Sequence, residues 1–155
     1  MESAEIEEIL ASCELFKGLG QSEIRNIAKI CRVNTYDKGA LVYQQGDFGE
    51  IIYIIANGQV VLEKTVDMDS RKGRVVIATL GRGRVFGCWS TLLDEPHIMM
   101  LRTFCQTAAT ILVLKGAELR KGMVSDTRFG FNVMEKLCFL LRERIQSAYG
   151  AMEKM

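Results

Sequence analysis

The sequence predicts an α+β domain: an antiparallel β-roll of the double-stranded jelly-roll type, preceded by short helices and followed by one long helix. Three observations predict it. Apolar residues at helical spacing open and close the chain, β-branched and aromatic runs at short intervals fill its middle, and glycine or polar residues punctuate almost every junction between those runs. With 155 residues, 48% hydrophobic and 25% charged, and a single proline, the chain can bury one core and has the composition of a folded domain. No internal repeat, low-complexity tract or linker divides it. One domain is expected over 1–155, with helices over 1–35, the roll over 36–115 and helices over 116–155.

From Ala4 to about Leu15, Ile6, Ile9, Leu10 and Cys13 recur at helical spacing. A second helix is expected from Ser22, carrying Ile24, Ile27, Ala28 and Cys31, with Ser22 as N-cap after the breaks at Gly18 and Gly20. Strands are expected over 40–44, 51–56, 59–66, 74–80, 101–105 and 110–114. Turns are expected at Gly39, Gly46-Asp47, Asn57-Gly58, 67–73 and 81–87. Many short strands with regular turns favour a roll, barrel or sandwich. Beyond Leu119 the helical period returns. Val133, Leu137, Leu140, Leu141, Ile145 and Ala148 form one stripe of a long amphipathic helix, and Glu135, Lys136, Arg142, Glu143, Arg144 and Gln146 cover the rest.

A formal net charge of +1 argues against a nucleic-acid partner, which usually demands a strong basic excess. Five well-separated cysteines, Cys13, Cys31, Cys88, Cys105 and Cys138, without a C-x-x-C pair, are expected to be reduced thiols. The longest apolar run, Ile51 to Ala56, falls far short of the roughly twenty residues that span a bilayer, so no direct membrane insertion is expected. An acidic start (Glu2, Glu5, Glu7, Glu8) is unlike a secretory or organellar leader, and a cytosolic setting follows. One histidine, His97, is too few for the usual ligand sets of metal-dependent β-barrel enzymes. No metal, cofactor or catalytic activity is expected.

The spacing Tyr36-x-x-Gly39, Gly46-Asp47, Tyr53-x-Ile55-x-x-Gly58-x-Val60 and Gly83-x-x-Phe86-Gly87 resembles the cyclic-nucleotide-binding domain family, from about Leu15-Phe16 to the last helix. The opening 13–19, Cys-Glu-Leu-Phe-Lys-Gly-Leu, is similar to the start of such domains in cation channels and sperm-type sodium/proton exchangers. The resemblance implies cyclic AMP or cyclic GMP as ligand. It implies a phosphate cradle over 87–96, formed by backbone amides at a helix N-terminus, and a pocket that draws on Phe86, Gly87, Cys88, Trp89, Ser90, His97, Met99 and Met100. It also makes the last helix a lid, with Leu137, Leu140 and Leu141 facing the roll.

Two positions depart from the family's pattern. An acidic residue normally follows the F-G pair and holds the ribose, and here Cys88 stands there; the phosphate-binding arginine is replaced by His97, or by Met99 in a second register. Arg102-Thr103 would need a less economical alignment, and if 97, 99 and 101 face the pocket on an extended strand, 102 faces away. A hydrogen bond to a charged group contributes roughly 1.5–3 kcal/mol, or about one to two decades of affinity, so cyclic-nucleotide binding is expected to be weak or absent.

Several residues carry two readings. Protonated His97 is a pH-sensitive stand-in for the arginine or a loop-edge residue; Trp89 stacks on a purine, plugs an empty cradle or is core. Cys88 is a low-pKa thiol or an inert packed one, and Met99-Met100 are core or lid contacts. Arg71, Lys72, Arg74, Arg82 and Arg84 meet phosphate or acidic lipid, or are merely solvated.

Two functions are therefore expected to compete. One is a sensory module whose ligand draws the lid down, read by an attached channel or exchanger, the rest of a membrane transport protein. The other is a degenerate roll filled by Trp89, Met99 and Met100 that serves as a ligand-independent coupling surface. A DNA-reading regulator would need a helix-turn-helix after the long helix, and the residues up to Met155 do not hold one. The abrupt start and finish fit an excised module. Oligomeric state stays open, since the long helix can pair with a copy of itself or pack wholly on its own roll.

Overall fold

A computed structural model describes residues 1–88 and 97–154, apart from the side chain of His97. The chain runs α1 (Ser3–Ser12), α2 (Gln21–Ile30), β1 (Arg32–Tyr36), β2 (Leu41–Tyr43), β3 (Phe48–Gly49), β4 (Ile51–Asn57), β5 (Val60–Met68), β6 (Arg71–Leu80) and β7 (Val85–Phe86). It continues through β8 (His97–Ile98), β9 (Arg102–Cys105), β10 (Ala109–Lys115), α3 (Gly116–Ser125) and α4 (Thr127–Glu153). Two four-stranded antiparallel sheets, ordered β1-β10-β4-β7 and β2-β9-β5-β6, face each other, with β3 and β8 forming a short ribbon beside them.

The period of two along β4 and β10 divides the apolar interior into two cores. Ile52, Ile54, Leu112 and Leu114 point outward to α1, α2, α3 and α4, where they meet Leu10, Phe16, Ile27, Leu119, Val133 and Leu137. Ile55, Ile111 and Val113 point inward and join Val60, Leu62, Leu80 and Phe86 between the sheets. The central strands of the first sheet, β4 and β10, are thus covered on both faces, which explains their near-continuous apolar sequence.

Three expectations about the N-terminal region need correction. The first helix ends at Ser12, whose hydroxyl donates back to the carbonyls of Glu8 and Ile9; Leu15 and Phe16, fully buried, belong to the turn that follows. Ser22 is not the cap of α2. Gly20 is, and the Glu23 carboxylate accepts from its N–H at 3.1 Å. The roll begins at Arg32 rather than at 36, because β1 pairs with β10 from Arg32↔Val113 to Tyr36↔Ala109.

The expected turn over 67–73 is much tighter. β5 and β6 pair from Val60↔Leu80 to Met68↔Arg71, leaving Asp69-Ser70 as the loop, with Asp69 at φ 53°. Asparagine and aspartate tolerate that left-handed conformation at hairpin tips. At the other end of β5, Gly58 (φ +95°) turns β4 into it where an added Cβ would lie 2.5 Å from the Ala108 carbonyl oxygen.

Candidate functional site

Between the second sheet and the C-terminal half of α4 lies a cavity of about 660 Å³. Its wall on the roll side comes from Leu62, Lys64 and Val66 of β5, Val75 and Ile77 of β6, and Tyr43. The chain just after β7 supplies Phe86, Gly87 and Cys88, and the segment from Ile98 to Leu101 closes one side. The lid is α4, through Leu140, Leu141, Arg144, Ile145, Ala148, Ala151 and Met152. Almost all of this surface is apolar because period-two alternation turns apolar side chains of β5 and β6 toward the helix, while one stripe of α4 faces back.

Gly87 occupies a place no other residue fits without strain. Its φ is +78°, and an added Cβ would lie 2.9 Å from both the Ile51 carbonyl oxygen and the Tyr53 ring. Phe86 stacks on Tyr53 at 4.8 Å, and Tyr43 tilts against both rings. Burial raises the Tyr43 phenol well above its ordinary pKa and pushes Tyr53 up to about 12, so both are neutral hydroxyls at physiological pH.

A polar knot joins three distant pieces of chain beside the cavity. Glu14, in the turn after α1, accepts from the Val85 N–H at 2.7 Å and from Arg84 Nε at 2.9 Å. Arg84 also pairs with Glu143 of α4. Arg144 Nη2 donates to the Val85 carbonyl at 2.6 Å and reaches Glu14 at 3.4 Å. The other terminal nitrogen of Arg144, Nη1, is buried and has no hydrogen-bond partner among the described residues.

Of the residues singled out from the sequence, Phe86, Gly87, Cys88, Met99 and Met100 all border this cavity, as do Leu140 and Leu141 of the lid. Leu137 does not. It is buried in the core between the first sheet and the helices, one turn short of the cavity. Trp89 and Ser90 lie outside the described residues; the backbone of His97 pairs with Gly49, and its side chain is likewise outside them.

Strict alternation along 97–101 does not hold, since β8 ends at Ile98 and Ile98, Met99, Met100 and Leu101 all line the cavity. Arg102 does face elsewhere. It pairs with Glu63 and lies over the Phe104 ring at 5.0 Å. The basic stretch is not simply solvated: Arg82 donates to the Ala56 carbonyl at 3.1 Å and Arg84 belongs to the knot. Sequence reasoning placed Arg144 on the solvent face and missed it. Its spacing, four residues after Leu140 and four before Ala148, puts it on the cavity stripe and was the available signal.

A roll with a long helix seated over a ligand-sized cavity defines a class, the helix-capped β-roll domains. Within that class the chain belongs to the cyclic nucleotide-binding domain family, whose model matches residues 33–126. It is 36% identical over 91 residues to a cAMP-dependent protein kinase type II regulatory subunit of Drosophila melanogaster, an alignment covering 59% of this chain and 23% of the relative. It is 28% identical over 112 residues to a protein of Rhodopseudomonas palustris described as a potassium channel, covering 72% of this chain and 26% of that one. The chain thus spans about a quarter of the length of these relatives. A cyclic nucleotide-binding domain from Methylobacillus flagellatus shares the fold, with a TM-score of 0.78 at 22% identity over 99% of this chain and 84% of that chain. No helix among the described residues is long and apolar enough to cross a membrane, and no group of three or more potential metal ligands occurs among them.

Proposed function

We propose that this chain is a non-catalytic regulatory module that holds a small ligand in the roll cavity and reports its presence through α4. The observation that carries this reading is the composition of the cavity wall: Leu140, Leu141 and Arg144 of α4 complete the enclosure begun by Phe86, Gly87 and Cys88. A ligand that touches both walls has different contact energies with the helix seated and lifted, and that difference is what a two-state switch requires. The similarity to the Rhodopseudomonas protein supports attachment to a membrane transport protein, with the module on its cytoplasmic side. Cyclic AMP and cyclic GMP are weak ligands in this reading, because Cys88 stands where an acid holds the ribose and Met99 or His97 where an arginine holds the phosphate.

A second reading, a ligand-independent coupling domain, is favoured by the burial of Cys88 and Met99, neither of which offers a nucleotide a charged anchor. Calorimetric titration of the whole chain with cyclic AMP and cyclic GMP at physiological salt, repeated near pH 6 to charge His97, separates the cases. A dissociation constant in the low micromolar range or tighter overturns the weak-affinity assignment. Paired spin labels on the exposed Val76 and Tyr149 then read the lid; distances unmoved by any cavity ligand favour the coupling domain.

A further inference from the structure

Of the two cations that line this cavity among the described residues, Lys64 and Arg144, the more deeply buried is on the lid. Arg144 is 14% exposed, its Nη2 is committed to Val85 and Glu14, and its Nη1 is buried with two N–H donors and no acceptor among the described residues. A guanidinium stays protonated at every relevant pH, so this donor is charged. A buried charged donor left without an acceptor is unfavourable, which makes the site one that gains from an anion. Among the described lining residues the other side-chain polar groups are Tyr43, Lys64 and Cys88, besides the methionine sulfurs. Lys64 lies at the exposed rim, donating to the Met100 carbonyl at 3.3 Å.

The remaining wall selects the body of the ligand. Leu62, Val75, Ile77, Leu101 and Ile145 offer no partner for a sugar hydroxyl or a purine edge, whereas alkyl or aryl carbon is matched throughout. Met99, Met100 and Met152 give that wall adaptable shape. A volume of about 660 Å³ lies within the roughly 300–1,000 Å³ typical of small-molecule sites.

Building on the ligand-reading function proposed above, we propose that the cavity takes an apolar monoanion, an alkyl or aryl carboxylate, with its head on Arg144 and its body against the β5–β6 wall. The anion anchor then rides on α4 itself. Binding and closure become one event, because a carboxylate reaches its cation only when the helix is seated.

The test is calorimetric titration of the whole chain with dodecanoate, below its micellar concentration, and with 1-dodecanol as the uncharged counterpart. Dodecanoate should bind and dodecanol should bind at least tenfold more weakly. Arg144→Gln should lower dodecanoate affinity about ten- to a hundredfold, the worth of one charged hydrogen bond, while leaving dodecanol unchanged. Ala148→Trp, which fills the cavity from the helix side, should weaken both and guards against a folding defect in the arginine variant. Equal binding of acid and alcohol, or an Arg144→Gln variant that binds dodecanoate normally, overturns the proposal. If cyclic AMP or cyclic GMP binds and dodecanoate does not, this proposal fails and the ligand-reading function stands. If none of them binds, both fail.

Discussion

Removing the carboxylate of Glu14 tests the idea that one side chain clamps the roll to its helices. In Glu14→Ala the Val85 N–H, in a residue with no exposed surface, loses its acceptor at 2.7 Å. An orphaned buried donor with a charged partner removed costs about 1.5–3 kcal/mol. The Arg84 pair adds only about 0.5 kcal/mol, because that arginine's side chain is 32% exposed and solvent screens it. The 3.4 Å contact with Arg144 adds little. The total, about 2–3.5 kcal/mol, should lower Tm by about 5–12 °C for a chain of this size. Glu14→Gln keeps an oxygen for Val85 and should cost about 1 kcal/mol. Glu143→Ala, which removes the other, half-exposed partner of Arg84, should stay within about 0.5 kcal/mol. Urea denaturation of the three variants gives the comparison. A Glu14→Ala loss no larger than that of Glu143→Ala would refute the clamp.

Other outcomes follow from the same contacts. Leu137→Ala should cost about 2–4 kcal/mol in urea unfolding, since Leu137 is buried core; Leu141→Ala, on the half-buried lid, should cost less and weaken cavity ligands measured by calorimetry. Gly58→Ala should lower stability by about 2 kcal/mol or more, from a left-handed φ and a Cβ only 2.5 Å from the Ala108 oxygen. Gly81→Ala, with open space around it, is the near-neutral control in the same assay. Burial raises Cys13 from 9.0 to about 11 and, with the neighbouring Cys13 charge adding to it, Cys31 to about 12. The folded state therefore holds these protons longer than the unfolded chain, so stability is full below pH 9 and falls as pH rises toward 11–12, measurable as declining urea midpoints. Native chains should show one fast thiol toward Ellman's reagent, the exposed Cys138.

The roll was legible in the sequence where strands are long enough to show a period. β4 and β10 alternate between the two cores, β5 opens on the buried run Val60-Val61-Leu62, and Gly58 at positive φ marks the turn from β4 into β5. β3, β7 and β8 contain two residues each, too few for any period to register. β1 is almost wholly exposed, so Arg32-Val33-Asn34-Thr35 shows no strand pattern and falls with the preceding helices, although its backbone pairs along its full length. Cys13 and Leu15 extended the helical pattern past its end because buried turn residues are as apolar as helix residues. At the site, Gly87 was legible because its backbone has no alternative residue. Arg144 was not, since charge on a helix usually means solvent, and only the cavity shows that its neighbours on that face are Leu140 and Ala148. Leu137 misled for the opposite reason: one apolar stripe serves both the core and the cavity, and spacing alone does not say where one gives way to the other.

The division of α4 between those two environments has a mechanical consequence. Phe129, Val133 and Leu137 are gripped by the core between helices and sheet, Leu140 is shared between that core and the cavity, and beyond it Arg144, Ile145, Ala148, Ala151 and Met152 border the hollow. Tilted about Leu137 with the Arg144–Val85 hydrogen bond released, such a helix is a lever. From there to Glu153 the arm is about 24 Å at 1.5 Å per residue, so a tilt of about 10° carries the tip roughly 4 Å. Contents that alter the seating of Leu141 by a fraction of an ångström therefore arrive at Glu153 enlarged several-fold, without any change in the roll.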